Sequence, residues 1–174
     1  MRRTTSTMLV AMALLMAAAV AWADPSSDFL AKAMQASLGQ VELGKLAQKN
    51  AQSSGVNALG VRLQHDHARI GKILTMVALK KGVTVPVALD GKRKSVVDAL
   101  SARTGADFDA AYTAQMLSDH QKAIALFTAA AGSGDPDLSR IAQLALPTLR
   151  EDEHLVESFA KLNPGYDVAA VATR

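Results

Sequence analysis

The 174-residue chain contains no cysteine, and aromatic residues make up only 4% of it. Without cysteine, disulfides, thiolate metal sites and cysteine nucleophiles are excluded. The chain also has no glycine-rich phosphate loop and no Gly-x-Ser-x-Gly nucleophile motif. Its formal net charge is only +3, so we expect no nucleic-acid partner.

The first 23 residues have the features of a secretory signal peptide. Arg2 and Arg3 precede an uninterrupted apolar run over residues 8–20, and Ala21-Trp22-Ala23 fits the small-x-small cleavage rule. We therefore predict cleavage after Ala23 and a secreted protein. Because the apolar run is shorter than the ~20 residues that span a bilayer, we expect no stable membrane anchor after cleavage.

Four long stretches with apolar residues three and four positions apart predict helices over residues 28–51, 56–81, 107–131 and 136–162. The connection between the second and third helices is long and carries a short extra helix at about residues 92–102. The expected fold is an all-α four-helix bundle forming one domain over residues 24–164, with a frayed tail over 165–174. A looser helical array is the alternative.

Two histidines occupy positions at which core residues are expected. His67 lies between Leu63 and Ile70 on the apolar stripe of the second helix, and His120 lies on the equivalent stripe of the third helix. Asp66 and Asp119 directly precede them. Each aspartate could orient a ring nitrogen on a neighbouring helix, or simply form an ion pair with the basic residue three positions along its own helix.

Carboxylates on the other two helices complete a candidate site. Glu42 lies at the edge of the apolar side of the first helix, and Asp152 lies on the apolar stripe of the fourth. His154 is turned ~200° away from that stripe, at ~100° per residue, so we predict that Asp152 points inward and His154 outward. Glu151 and His154 have the i, i+3 spacing of di-iron bundles and stay as alternative ligands.

The predicted site is therefore a mid-bundle set of Glu42, His67, His120 and Asp152. The first three lie ~18–22 Å from the start of their helices, at ~1.5 Å per residue. Two imidazoles and two carboxylates suit iron, zinc or manganese, and copper less well. The alternative interpretation is a buried hydrogen-bond network that fixes the register of the helices.

The chain also resembles a secreted bacterial family catalogued as domain of unknown function 4142 (DUF4142), which is regarded as ferritin-like. The resemblance covers residues 28–162 and is carried by residues 41–47, 80–86 and 105–109, by Tyr112, by Asp66-His67 and Asp119-His120, and by Leu146-Pro147-Thr148-Leu149.

The resemblance implies a periplasmic ferritin-like four-helix bundle with metal binding through Glu42, His67 and His120, and it implies no established activity. Similar sequences carry a histidine shortly after the Leu-Pro-Thr-Leu motif, where this chain has Asp152.

Three functions follow from these observations. The first is a periplasmic bundle that binds a divalent metal, and the second is a non-catalytic structural or stress-related bundle. The third is a ferritin-like redox enzyme, which normally needs about six inward ligands with two carboxylate-x-x-histidine pairs. Gln64 stands where the first such pair needs a carboxylate, so we favour a protein that is not an enzyme. The sequence leaves the oligomeric state open.

Overall fold

The computed structural model describes residues 25–162. It contains five helices: α1 (Pro25–Asn50), α2 (Ser54–Lys81), α3 (Gly91–Ser101), α4 (Gly105–Ala131) and α5 (Pro136–Leu162). Within this range there is no β-strand, and none of the helices is long and apolar enough to cross a membrane. The predicted signal peptide and C-terminal tail lie outside the described residues.

The fold is an all-helical bundle in which neighbouring long helices pair. α1 packs along α2 and α4 along α5, while α1 also contacts α4 and α2 contacts α5. The short helix α3, predicted near residues 92–102, contacts α1 and α4. Gly82 ends α2 in the left-handed conformation, with φ 67°, where glycine has no Cβ penalty.

The apolar core is divided into two clusters, and all four long helices contribute to both. The Phe127 cluster includes Leu30, Ile70, Leu74, Phe127, Ile141 and Leu149. The Phe108 cluster includes Leu43, Leu63, Phe108, Tyr112, Met116 and Val156. α1 and α5 pass from the Phe127 cluster to the Phe108 cluster, whereas α2 and α4 pass the opposite way. Because α2 and α4 run in the same direction, the connection that carries α3 must return along the bundle.

Two aspartates fasten opposite ends of the bundle. Asp109 of α4 accepts hydrogen bonds from the backbone N–H groups of Gln52 and Ser53, in the turn between α1 and α2. At the other end, Asp135 caps α5 by accepting from the backbone N–H of Leu138. Its second carboxylate oxygen accepts from Ser26 of α1 and from Lys81 at the end of α2.

Glycines bring the backbones of α1 and α2 into contact near the Phe108 cluster. A Cβ added to Gly44 would lie 2.6 Å from the carbonyl oxygen of Gly60, and one added to Gly60 would lie 2.5 Å from the Cβ of Ala47. Further along α2, a Cβ on Gly71 would have its nearest neighbour at 3.8 Å. The two helices are therefore in close contact at Gly44 and further apart at Gly71.

We predict opposite effects for two glycine-to-alanine substitutions. Gly44→Ala should lower the free energy of unfolding by ~1–3 kcal/mol, because the new methyl group meets backbone that must shift. Gly71→Ala has room and should raise it by ~0.5–1 kcal/mol through helix propensity. Urea denaturation of the two variants measures both values. Equal stabilities would contradict the close contact at Gly44.

A second prediction concerns Asp135, whose pKa is lowered to about 2, chiefly by its bond from Lys81 and further by the backbone N–H of Leu138. A carboxyl group whose pKa is lower in the folded state stabilises the protein at any pH above its unfolded pKa of ~3.9. This stabilisation is lost as the pH falls towards the folded pKa. Asp135→Asn keeps a good N-cap but removes the charge. It should therefore destabilise the protein at pH 6 and converge on the wild type near pH 2.

Denaturant unfolding between pH 2 and pH 6 measures this difference. Asp98→Asn is the matched control, because Asp98 forms only an exposed pair with Lys94 on the same helix and should change stability little at any pH. If the free energies of unfolding of the wild type and Asp135→Asn differ by the same amount at every pH, the lowered pKa of Asp135 is contradicted.

Candidate metal centre

Helical phase places both histidines in the interior. On α2, His67 is buried between Leu63 and Ile70, and on α4, His120 is buried between Met116 and Ala123. Each histidine lies between the stretch of its helix that joins the Phe108 cluster and the stretch that joins the Phe127 cluster. The two rings thus form a polar layer between two apolar cores.

The two histidine rings face each other through their Nε2 atoms. Nε2 of His67 lies 3.4 Å from Nε2 of His120, with the ring planes 81° apart. Nδ1 of His120 lies 2.8 Å from the carbonyl oxygen of Met116. Because a carbonyl only accepts, Nδ1 of neutral His120 carries the proton and its Nε2 presents a lone pair.

Asp152 of α5 completes the layer. Its side chain is fully buried, at 0% exposure, and one ligand atom from each of Asp152, His67 and His120 lies within 4.8 Å of the other two. Oδ1 of Asp152 accepts from Nε of Arg62 at 3.0 Å, whereas Oδ2 is buried with no hydrogen-bond partner. Within residues 25–162, this is the only group of three or more histidines and carboxylates with metal-binding spacing.

Burial controls the protonation of this layer. It lowers the pKa of His67 well below the ordinary value, and the neighbouring His120 ring and the charge of Arg93 lower it further. Burial also raises the pKa of Asp152, against the hydrogen bond from Arg62. Since desolvation penalises a charged form, His67 is neutral at pH 7 and has a lone pair for a ligand or a proton.

Arg62 of α2 connects the buried layer to the surface. Besides Asp152, its guanidinium lies 2.9 Å from Glu151 and 3.6 Å from Asp66. Asp66 also lies 3.5 Å from Arg69, the basic residue three positions along its helix. Sequence reasoning did not identify Arg62, although its i, i+4 spacing to Asp66 was visible.

The other predicted ligands lie outside the cluster. Glu42 is 44% exposed and forms a surface ion pair with Lys45 of its own helix. His154 is 78% exposed and faces Glu157, while Glu151 is exposed beside Arg62. The structure therefore places Asp152 inward and His154 outward, as phase predicts, but it does not bring Glu42 to the histidines.

Gln40 is the residue that α1 supplies to the interior in place of Glu42. It is buried and donates to Asp119 at 3.1 Å, while its Oε1 has no partner. Asp119 also lies 3.8 Å from Arg93 of α3, and Lys122, the ion-pair partner expected for Asp119, donates to Ser118 instead. The buried positions of α1 that repeat three and four apart would have identified Gln40: Ala33, Ser37, Gln40, Gly44 and Ala47.

Comparison with known proteins gives a family and a fold. The family described as "Domain of unknown function (DUF4142)" matches residues 11–159. None of the curated proteins matches the chain. The crystal structure of a DUF305 fragment from Deinococcus radiodurans is similar, with a TM-score of 0.70 and 16% identity over 79% of this chain and 97% of that chain. At that identity, the likeness shows the fold alone.

The pairing of Arg62 with Asp152 leads to a stability prediction. Arg62→Ala should lower the free energy of unfolding by ~1–3 kcal/mol at pH 7, because a buried carboxylate loses its donor. The loss should shrink as pH falls, since protonated Asp152 needs no cation. Arg69→Ala removes exposed contacts to Asp66 and Thr148 and should cost ~0.5 kcal/mol or less.

Denaturant titrations of both variants at pH 7 and at acid pH measure these losses. If Arg62→Ala loses no more free energy of unfolding than Arg69→Ala does, the pairing of Arg62 with buried Asp152 does not stabilise the protein as predicted.

Proposed function

The chain belongs to the DUF4142 family, and we propose that it binds one divalent transition-metal ion between His67, His120 and Asp152. The separation of the two imidazole nitrogens carries this proposal. Two nitrogens bound ~2.0–2.1 Å from one ion at a tetrahedral angle are ~3.3–3.4 Å apart. Nε2 of His67 and Nε2 of His120 are 3.4 Å apart, which is the separation that one shared ion requires.

The third ligand is supported by an unsatisfied atom. Oδ2 of Asp152 is buried without a hydrogen-bond partner, which is costly unless another group satisfies it. A bound cation would do so while Oδ1 keeps its bond from Arg62. Two imidazole nitrogens at a tetrahedral spacing and one carboxylate oxygen within 4.8 Å favour Zn²⁺. Fe²⁺ and Mn²⁺ are the other ions that this donor set suits.

Family and topology give the setting of this site. The long connection that returns along the bundle, with α2 and α4 running in the same direction, is typical of ferritin-like bundles. We therefore propose a ferritin-like four-helix bundle of α1, α2, α4 and α5. Its periplasmic location is proposed from the predicted signal peptide together with the resemblance to a periplasmic family.

The second candidate function is a metal-free polar network that sets the register of the helices. The bond from His120 to the Met116 carbonyl and the contact between the rings favour it. However, this network would leave Oδ2 of Asp152 unsatisfied. A di-iron redox site is less well supported, because three clustered ligands are about half of what such a site uses.

Metal content of the chain, purified without an affinity tag, tests the proposal. We expect close to one equivalent of metal per chain and an increase in melting temperature when the metal is added to chelator-treated protein. A ligand at 100 times its Kd stabilises the folded state by ~2.7 kcal/mol. The combined His67→Ala and His120→Ala variant should lose both effects.

Two single variants serve as controls. His154→Ala and Glu42→Gln remove exposed candidate ligands and should retain the metal. Asp152→Asn should weaken binding, because a neutral amide replaces an anionic ligand. If the wild type holds no metal and zinc, iron and manganese leave its melting temperature unchanged, the metal-free network is the better explanation.

A further inference from the structure

A pocket lies where the short helix α3 packs against α1 and α4. Its volume is about 600 Å³, and volumes of ~300–1,000 Å³ are usual for sites that bind small molecules. Leu43 of α1 and Val96 of α3 belong to its apolar lining. None of the three side chains of the histidine layer lines it, so the pocket is separate from the candidate metal centre.

Basic residues outnumber acidic residues around this pocket. Six charged residues line it: Lys32, Lys92, Arg93, Lys122, Asp90 and Asp119. Both carboxylates already accept hydrogen bonds, Asp90 from the backbone N–H of Arg93 and Asp119 from the side chain of Gln40. The lining therefore has an excess of positive charge, which favours an anionic ligand.

Arg93 is held at the wall of the pocket. A Cβ added to Gly39, which also lines the pocket, would lie 2.9 Å from Cδ and 3.3 Å from Nη1 of Arg93. Nη1 lies 3.8 Å from Oδ2 of Asp119, and the side chain is only 27% exposed. At that separation the ion pair is not a hydrogen bond, and within residues 25–162 the guanidinium donates none. Its planar fork of N–H donors is thus positioned but has no acceptor.

Lys92 is a second cation of the lining without a partner. Its ammonium forms no ion pair or hydrogen bond in the part of the chain that the structure describes. The other two lysines already have partners, since Lys32 pairs with Asp28 and Lys122 donates to Ser118. The unpaired positive charge of the pocket therefore lies on α3.

We propose that this pocket binds a small organic acid, whose carboxylate contacts Arg93 and Lys92 and whose apolar part contacts Leu43 and Val96. A carboxylate accepts two parallel hydrogen bonds from one guanidinium, and such charge-assisted bonds are stronger than those between neutral groups. A compact inorganic anion would leave the apolar lining uncovered, so an organic acid is the better match.

Matched probes separate charge from apolar burial. Benzamide has the shape of benzoate without its charge, and acetate has the charge without the ring. We expect benzoate to bind about tenfold or more tightly than benzamide, the value of a charge-assisted hydrogen bond, and more tightly than acetate. Added NaCl should weaken the binding of benzoate and not that of benzamide. Two-dimensional NMR titrations in a buffer without carboxylate or phosphate measure the affinities, and the Nε–H resonance of Arg93 should shift with benzoate.

Four variants locate the site. Arg93→Gln should weaken benzoate about tenfold or more, and Arg93→Lys should restore only part of the loss because an ammonium lacks the planar fork. Gly39→Ala keeps the charge but displaces the Arg93 side chain, so it should also weaken benzoate. Lys94→Gln is the matched control, because Lys94 is an exposed cation of the same helix that pairs with Asp98 outside the pocket. It should change the affinity for benzoate little.

Three results would overturn the proposal: benzoate shifts no resonance of the pocket, it binds no more tightly than benzamide or acetate, or it binds Arg93→Gln as tightly as the wild type. Should Arg93→Gln not fold, the three probes in the wild type and in Gly39→Ala still decide. Because the histidine layer does not line the pocket, failure here leaves the metal proposal unaffected.

Discussion

The burial of His67, His120 and Asp152 in one layer is the constraint on which this structure depends. The layer divides the apolar core into two clusters, and each of the four long helices crosses it once. Buried polar groups are costly unless they are satisfied, so helix register must bring these side chains together. A shift of one residue in α2, α4 or α5 would rotate the helix by ~100° and turn its polar side chain out of the layer.

Arg62 links the buried polar layer to charged groups at the protein surface. Its guanidinium satisfies one oxygen of Asp152 from the protein surface and is itself held by Glu151 and Asp66. The second oxygen of Asp152 and Nδ1 of His67 have no protein partner. The folded chain thus retains two unsatisfied buried atoms in one layer, and the proposed metal ion would satisfy the oxygen of Asp152.

Helical phase identified the buried polar side chains where the apolar stripe was continuous, and it did not where the stripe was ambiguous. On α2, α4 and α5 the stripes identified His67, His120 and Asp152 and placed His154 outside. On α1, alanine, serine and glycine occupy most of the buried positions. Such small residues carry little hydropathic contrast, so the inward face of α1 was misplaced and Glu42 was chosen over Gln40.

The sequence by itself determined the helices and the inward direction of His67, His120 and Asp152, because helical periodicity is a local property of the chain. Only the tertiary structure decided which nitrogens face each other, that Arg62 reaches Asp152, that Asp119 pairs with Gln40 and Arg93, and that α1 and α2 are further apart at Gly71. These contacts join residues that are far apart in the chain. They depend on how far apart the helices lie and how each is rotated, and the sequence of one helix does not encode either.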